Sequence, residues 1–398
     1  MSAQASEAVT GEPPLALYIH WPFCRSKCPY CDFNSHVRDR IDAGRWERAL
    51  LDALDHAAGQ MPGRRLGSLF FGGGTPSLMA PETVARLIAR AKTHWPADPD
   101  LEITLEANPT SAEAARFQAF AEAGVNRLSL GVQALREEAL RFLGREHDVR
   151  EALRALEWAR KTFPRISFDL IYGRQEQTPA DWRAELGQAL ALAADHLSLY
   201  QLTIEAGTAF FQQQRQGALP LPGEPAMVAF YETTQAMLED AGMPAYEISN
   251  HARAGAQCRH NLTYWRGGEY IGIGPGAHGR HGGRRPDEAR TTTRDIRLPE
   301  RWLEAVERQG HGCEAVEGLE RNAWLAELTM MGLRLREGLS RNTFRRQTGL
   351  EIEAAFPCEA LASLITGDFL VLDAAGLRAT PRGRQRLNAV LERLLSAA

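Results

Sequence analysis

Leu15-Ala-Leu-Tyr18-Ile-His20-Trp-Pro-Phe-Cys24-Arg-Ser-Lys-Cys28-Pro-Tyr30-Cys31 runs from an apolar strand straight into a loop carrying three cysteines. Five more short apolar runs follow, at 68–71, 101–106, 127–131, 166–171 and 197–202, separated by amphipathic segments such as 81–94 and 149–163. That alternation is the pattern of a parallel sheet built from βα units. Six units fall short of a closed eight-stranded barrel, so the pattern predicts an α/β fold, an open partial (β/α)6 barrel. Sites in such barrels lie at the carboxyl ends of the strands. Polar residues collect there: the cysteines after the first strand, Gly72-Gly73-Gly74-Thr75-Pro76 after the second, then Glu106, Gln133, Asp169 and Tyr200-Gln201.

The remaining organisation follows from composition. Residues 1–14 are expected to be a disordered tail, and 15–280 to form the barrel with a C-terminal extension that includes a strand at 245–249. Residues 281–322 read as a polar linker and connecting segment. Residues 323–398 show helices, a hairpin and a last helix, an order that predicts a small winged-helix-like domain with a structural or partner-docking role. With 44% hydrophobic and 24% charged residues among 398, the chain can bury a large core. A net charge of -4 gives no bulk electrostatic reason to expect nucleic acid or an anionic membrane. No apolar run is long enough for a membrane span and no secretory leader is recognisable, so a cytoplasmic protein is expected.

Three thiols within eight residues point to metal, because Cys258, Cys313 and Cys358 lie far away and singly. Thiolates at this spacing suit an iron-sulfur cluster. A zinc ion completed by His20, Asp32 or His36, or three buried free thiols, are the alternatives that the cysteines alone leave open.

The Cys-x3-Cys-x2-Cys loop after an apolar strand, followed by Gly-Gly-Gly-Thr-Pro, resembles the radical S-adenosylmethionine superfamily. Tyr18 to Cys24, Phe70 to Pro76, Leu128-Ser-Leu-Gly-Val-Gln133, Gly144-Arg145 and Asp169-Leu-Ile-Tyr-Gly173 resemble its oxygen-independent coproporphyrinogen III oxidase group. Two branches of that group differ. The oxidases carry a further cysteine two residues after the third ligand, where this chain has Phe33. His260-Asn261-Leu262-Thr263-Tyr264-Trp265 is similar to a motif of the HemW-type haem chaperones.

The resemblance implies a 4Fe-4S cluster on Cys24, Cys28 and Cys31, with S-adenosylmethionine contacted by Tyr18, Tyr30, Gly73, Gly74, Thr75, Glu106, Gln133, Arg145 and Asp169. Tyr30, Gln133, Arg145 and Asp169 also match a shell that holds a second such molecule in the oxidases. The implied cargo is haem, with haem-dependent acceptor proteins and an electron donor to the cluster as partners. His260 is the candidate haem ligand; as a residue beside aromatics it is equally a hydrogen-bonded core histidine. A true oxidase acting on a tetrapyrrole and a zinc-stabilised interaction module are the rival readings, and whether the chain turns over a substrate stays open. The family usually continues Leu-Pro-Gly-Gln-Thr after Gly173. Here Arg174-Gln-Glu-Gln-Thr178 stands instead, and without the proline a looser loop is expected.

Overall fold

The computed structural model describes residues 13–286 and 288–396. Six strands, β1 (Leu15–Trp21), β2 (Leu66–Gly73), β3 (Ala97–Ala107), β4 (Arg127–Gln133), β5 (Arg165–Tyr172) and β6 (His196–Gln201), pair in parallel in chain order. These are the six strands expected from sequence. Along each strand one set of residues is apolar and buried, such as Leu69, Ile103, Leu128, Phe168 and Leu197, while the alternate set carries buried polar side chains such as Ser68, Glu102, Arg127, Ser167 and Ser198. The covering helices start cleanly: in Val149–Thr162, Asp148 and Glu151 form a reciprocal capping box, and Ala152, Ala155, Leu156 and Ala159 face the sheet.

The sheet extends beyond those six. β7 (Asn250–Ala252) joins β6 antiparallel, and Ala245 makes only an isolated bridge to His251, so the strand expected at 245–249 lies a few residues later. β8 (Tyr270–Ile273) adds a seventh parallel strand on the free side of β1. β9 (His278–Gly282), β10 (Arg290–Asp295) and β11 (Cys313–Leu319) continue it antiparallel into an eleven-stranded sheet. The segment 281–322, read as a linker, therefore contains two strands and the helix Pro299–Gln309. Trp302 on that helix is fully buried, stacks on Trp46 with ring centroids 5.6 Å apart, and donates to Asp295 Oδ2 at 2.7 Å. A side chain so placed makes this segment part of the core. Of the expected tail, residues 1–12 lie outside the described residues.

The C-terminal domain has a separate core around Leu328, Leu333, Phe344, Ile352, Leu377 and Leu394. Its helices, followed by the hairpin of Leu370–Leu372 and Gly376–Ala379 and a last helix, follow the winged-helix order. It docks on the barrel through specific polar contacts. Arg290 lies 3.7 Å from the Trp324 ring centroid, Arg280 Nε donates to Glu327 Oε1 at 3.0 Å, and Arg384 Nη2 donates to the Glu247 carbonyl at 3.0 Å.

Candidate cofactor and ligand site

The cysteine loop leaves β1 and is held by the strands beside it. Thr75 donates to Cys24 Sγ at 3.3 Å, Arg145 Nη1 donates to Cys28 Sγ at 3.3 Å, and Ser35 Oγ lies 3.7 Å from Cys31 Sγ. All three thiols are free and half-buried. Burial pushes the Cys24 thiol up, the Thr75 bond opposes this, and the nearby Cys31 and Cys28 add to it. The three face one cavity of about 1000 Å³. Among the described residues, no three His, Cys, Asp or Glu side chains are grouped as a single metal ion requires.

Glycines set how closely the loop seats on β2. A Cβ at Gly73, where φ is +114°, would lie 2.6 Å from the His20 ring, and one at Gly74 would lie 2.6 Å from the Phe23 carbonyl oxygen. Both therefore serve the packing of the loop against the strand, a reason that ligand approach alone did not supply. Gly74→Ala is expected to displace the cysteine loop and destabilise the fold by about 1–3 kcal/mol, the usual range for overpacking. Thermal unfolding together with bound-iron analysis checks this; unchanged iron loading would contradict it.

At the other strand ends, Glu106 Oε2 accepts from Gly73 N at 3.2 Å, and burial followed by the neighbouring Asp169 raises its carboxyl to about 8. Asp169 is itself raised to about 6 by burial, against the pull of Ser198, Arg127 and Arg145. Two adjacent carboxyls facing a cavity, both held above the ordinary carboxylate range chiefly by burial, suit a cationic ligand group. The folded chain holds the Glu106 proton above the pH at which the unfolded chain releases it. Its stabilising contribution is thus full below about 4.5 and is lost as pH rises through about 8. Glu106→Gln is expected to flatten the loss of stability between pH 6 and 8, read from denaturant midpoints; an equally steep fall in the variant would contradict the assignment.

Arg145 reaches across the floor of the cavity, donating to Asn108 Oδ1, to the Gly131 carbonyl at 2.9 Å and to Cys28. Burial works against its charge, but Tyr30 and Cys28 outweigh it and keep the guanidinium charged. Its Nε is buried without a hydrogen-bond partner among the described residues. Gln133 closes β4 with φ at +69°, a left-handed conformation that non-glycine residues adopt at a cost and that clusters at functional sites. Tyr30, packed on Phe210, completes this side.

Two expected residues lie elsewhere. Tyr18 is not on the cavity wall; its hydroxyl donates to His20 Nδ1 at 3.0 Å, because His20 Nε2 is committed to the Asn34 carbonyl at 3.0 Å. It props the histidine that underlies Gly73. His260, the candidate haem ligand, is 1% exposed inside the barrel and also off the cavity wall. Its Nδ1 is hydrogen-bonded to Ser68 Oγ at 3.0 Å and its Nε2 to Tyr264 OH at 2.6 Å, and Phe70 stacks on it. With both nitrogens engaged, an iron ligand here requires repacking of the barrel interior. The motif forms a plug whose helix, Arg259–Trp265, is capped from β3: Glu102 Oε1 accepts from Arg259 N at 2.9 Å and from Cys258 Sγ at 3.5 Å. Cys258 is therefore a buried thiol, pushed up to about 12 by burial. Gly272 and Gly274 lie along β8 and the turn after it, where a Cβ at Gly274 would lie 2.4 Å from the His20 carbonyl oxygen.

The loop after β5 is not loose. Gln177 Oε1 accepts from Gly173 N at 2.7 Å, and the buried Arg174 pairs with Glu185, so side chains replace the restraint of the missing proline. Several lining residues escaped the sequence reading. His147 is buried with Nε2 donating to the Val132 carbonyl at 3.0 Å, and its Nδ1 is without a hydrogen-bond partner among the described residues. Arg334, Arg384 and Arg386 come from the C-terminal domain. Only the spacing Arg145-x-His147 offered a signal for the first; the arginines had none.

A parallel half-barrel with a three-cysteine loop at its carboxyl rim defines the radical SAM class. The Radical SAM superfamily model matches residues 18–187, and the HemN C-terminal domain model matches 319–386. The heme chaperone HemW of Escherichia coli is 39% identical over 96% of this chain and 99% of its own length. Radical S-adenosyl methionine domain-containing protein 1, mitochondrial, of Bos taurus is 41% identical over 97% of this chain and 88% of that protein. Among solved structures, the coproporphyrinogen III oxidase HemN of Escherichia coli superposes with a TM-score of 0.80 over 96% of this chain and 90% of that chain at 24% identity, a likeness of fold. The chain belongs to the HemW family of the radical SAM superfamily.

Proposed function

We propose that this protein binds haem in the cavity between the barrel rim and the C-terminal domain and passes it to haem-dependent proteins. The observation that carries the reading is near-full-length identity to relatives named heme chaperones, combined with Phe33, 60% exposed on the cavity wall, where the oxidases have a further cysteine. Cys24, Cys28 and Cys31 hold a 4Fe-4S cluster, and their donor set fits one: three free thiols on one loop face a common cavity at the barrel rim. Bound there, the cluster would supply one-electron chemistry to S-adenosylmethionine at its open iron.

The chain's own residues do the positioning. Thr75 and Arg145 orient Cys24 and Cys28, Gly73 and Gly74 seat the loop, and Glu106 and Asp169 receive the cationic end of S-adenosylmethionine. Gln133 and Tyr30 border its nucleoside side. Tyr18 positions His20 beneath them. The partners of this reading are haem, haem-dependent acceptors and an electron donor; the unpaired cysteines suit a reducing compartment such as the cytoplasm, and no helix among the described residues is long and apolar enough to cross a membrane.

The test is transfer. Protein loaded with one equivalent of haem is expected to hand it to a haem-free acceptor, seen as growth of the acceptor's Soret band. Retention of the haem, or zinc without iron and sulfide in anaerobically purified protein, would overturn the reading.

A further inference from the structure

The C-terminal-domain side of the cavity is built around two guanidinium groups with one carboxylate between them. Arg384 is 9% exposed; its Nη2 is spent on the Glu247 carbonyl at 3.0 Å, and its Nη1 is buried without a hydrogen-bond partner among the described residues. Arg334 lies over the Trp265 ring at 4.8 Å, its Nε likewise buried and without a hydrogen-bond partner there. Its Nη2 stands 3.7 Å from Glu247 Oε2, an ion-pair distance too long for a hydrogen bond. Glu247 Oε1 accepts from Ser249 N at 3.0 Å and from Asn250 Nδ2 at 2.6 Å. His251, close to Arg384, is held neutral by burial and by that arginine, its value lowered to about 3, so it offers no counter-charge. Arg386 adds a further exposed guanidinium to the same wall.

One buried and one half-buried guanidinium against a single carboxylate, whose Oε2 faces Arg334 and is without a hydrogen-bond partner among the described residues, leave net positive charge at a cavity wall. Burying an unpaired charge is expensive, and the planar fork of arginine matches a carboxylate in two hydrogen bonds. We propose that Arg334 and Arg384 form a carboxylate clamp that grips the acid-bearing edge of a flat tetrapyrrole in the cavity shared with the cysteines. The inference rests on the haem-binding reading above and gives the C-terminal domain a ligand-binding role in it. A cavity of about 1000 Å³ is at the upper end of the range for small-molecule sites, ample for such a ligand. Because both clamp residues belong to one domain and the cysteines to the other, the ligand spans the seam between the two.

The experiment compares haemin with its dimethyl ester, which keeps the macrocycle and iron but lacks free carboxylates. Both are titrated anaerobically into the full chain and into Arg334→Gln and Arg384→Gln variants, in one detergent buffer. The parent is expected to bind haemin about tenfold or more tightly than the ester, as one lost charge-assisted contact implies. Each variant is expected to bind haemin as weakly as the parent binds the ester, with ester affinity unchanged. Arg334→Gln carries the test if Arg384→Gln unfolds, since Arg334 is only half-buried. Equal affinity of the parent for haemin and ester, or equal weakening of both in Arg334→Gln, overturns the clamp while leaving haem binding intact. A parent that binds neither compound overturns the haem reading and the clamp with it.

Discussion

Replacing Cys28 by alanine is expected to abolish cluster assembly while leaving the thermal midpoint of the cluster-free protein close to that of the parent. Cys28 sits on an irregular, half-buried loop, where Arg145 Nη1 donates to its sulfur and Cys31 N to its carbonyl at 3.1 Å. It takes no part in the barrel core, where loop substitutions are least felt. Loss of a direct ligand must exceed the roughly 10–100-fold drop in metal affinity that loss of an outer-shell partner causes. Iron and acid-labile sulfide should fall to background, with the low-temperature paramagnetic signal of the reduced cluster gone. Global unfolding of the variant would instead identify the cysteines as a structural metal site.

Alanine at His260 is expected to do the reverse: destabilise the protein and leave haem affinity unchanged. The ring fills a pocket against Phe70 and Tyr18, and its removal strands Ser68 Oγ and Tyr264 OH in the barrel interior. A lost buried side chain and two abandoned polar partners together cost on the order of 3–5 kcal/mol. Denaturant unfolding reads the loss, and haem titration of the folded fraction reads the affinity. Weakened haem binding without destabilisation would restore His260 as a ligand.

The contrast between these two residues shows what local spacing can place and what depends on tertiary packing. Cys24, Cys28 and Cys31 are local in the chain and closely spaced, which points to metal, and the strand ends that carry Glu106, Gln133 and Asp169 follow from a repeated βα period. All of them line one cavity. His260 also sits in a local motif, but whether a histidine faces a cavity or the interior depends on which strand lies beneath it, here β2 with Ser68. β8 and β10 were missed for related reasons. Tyr270-Ile-Gly-Ile273 is short and glycine-rich, and Arg290-Thr-Thr-Thr-Arg-Asp295 lacks the apolar alternation that marks a half-buried strand, its hydrogen bonds coming from β9 and β11. Arg334 and Arg384 meet Glu247 across long sequence separations, a juxtaposition that exists only once the C-terminal domain has docked.

These pieces describe a barrel whose rim is organised around cysteines and carboxyls and whose cavity is also walled by Arg334, Arg384 and Arg386 of a separately cored domain. Binding without turnover is the behaviour that most directly separates such a carrier from an enzyme of the same fold. The decisive measurement is an anaerobic haem titration of cluster-loaded protein, followed by absorbance, with coproporphyrinogen III turnover assayed on the same sample. Saturable haem binding with no conversion to protoporphyrinogen IX is the predicted result; conversion without haem binding would contradict the account.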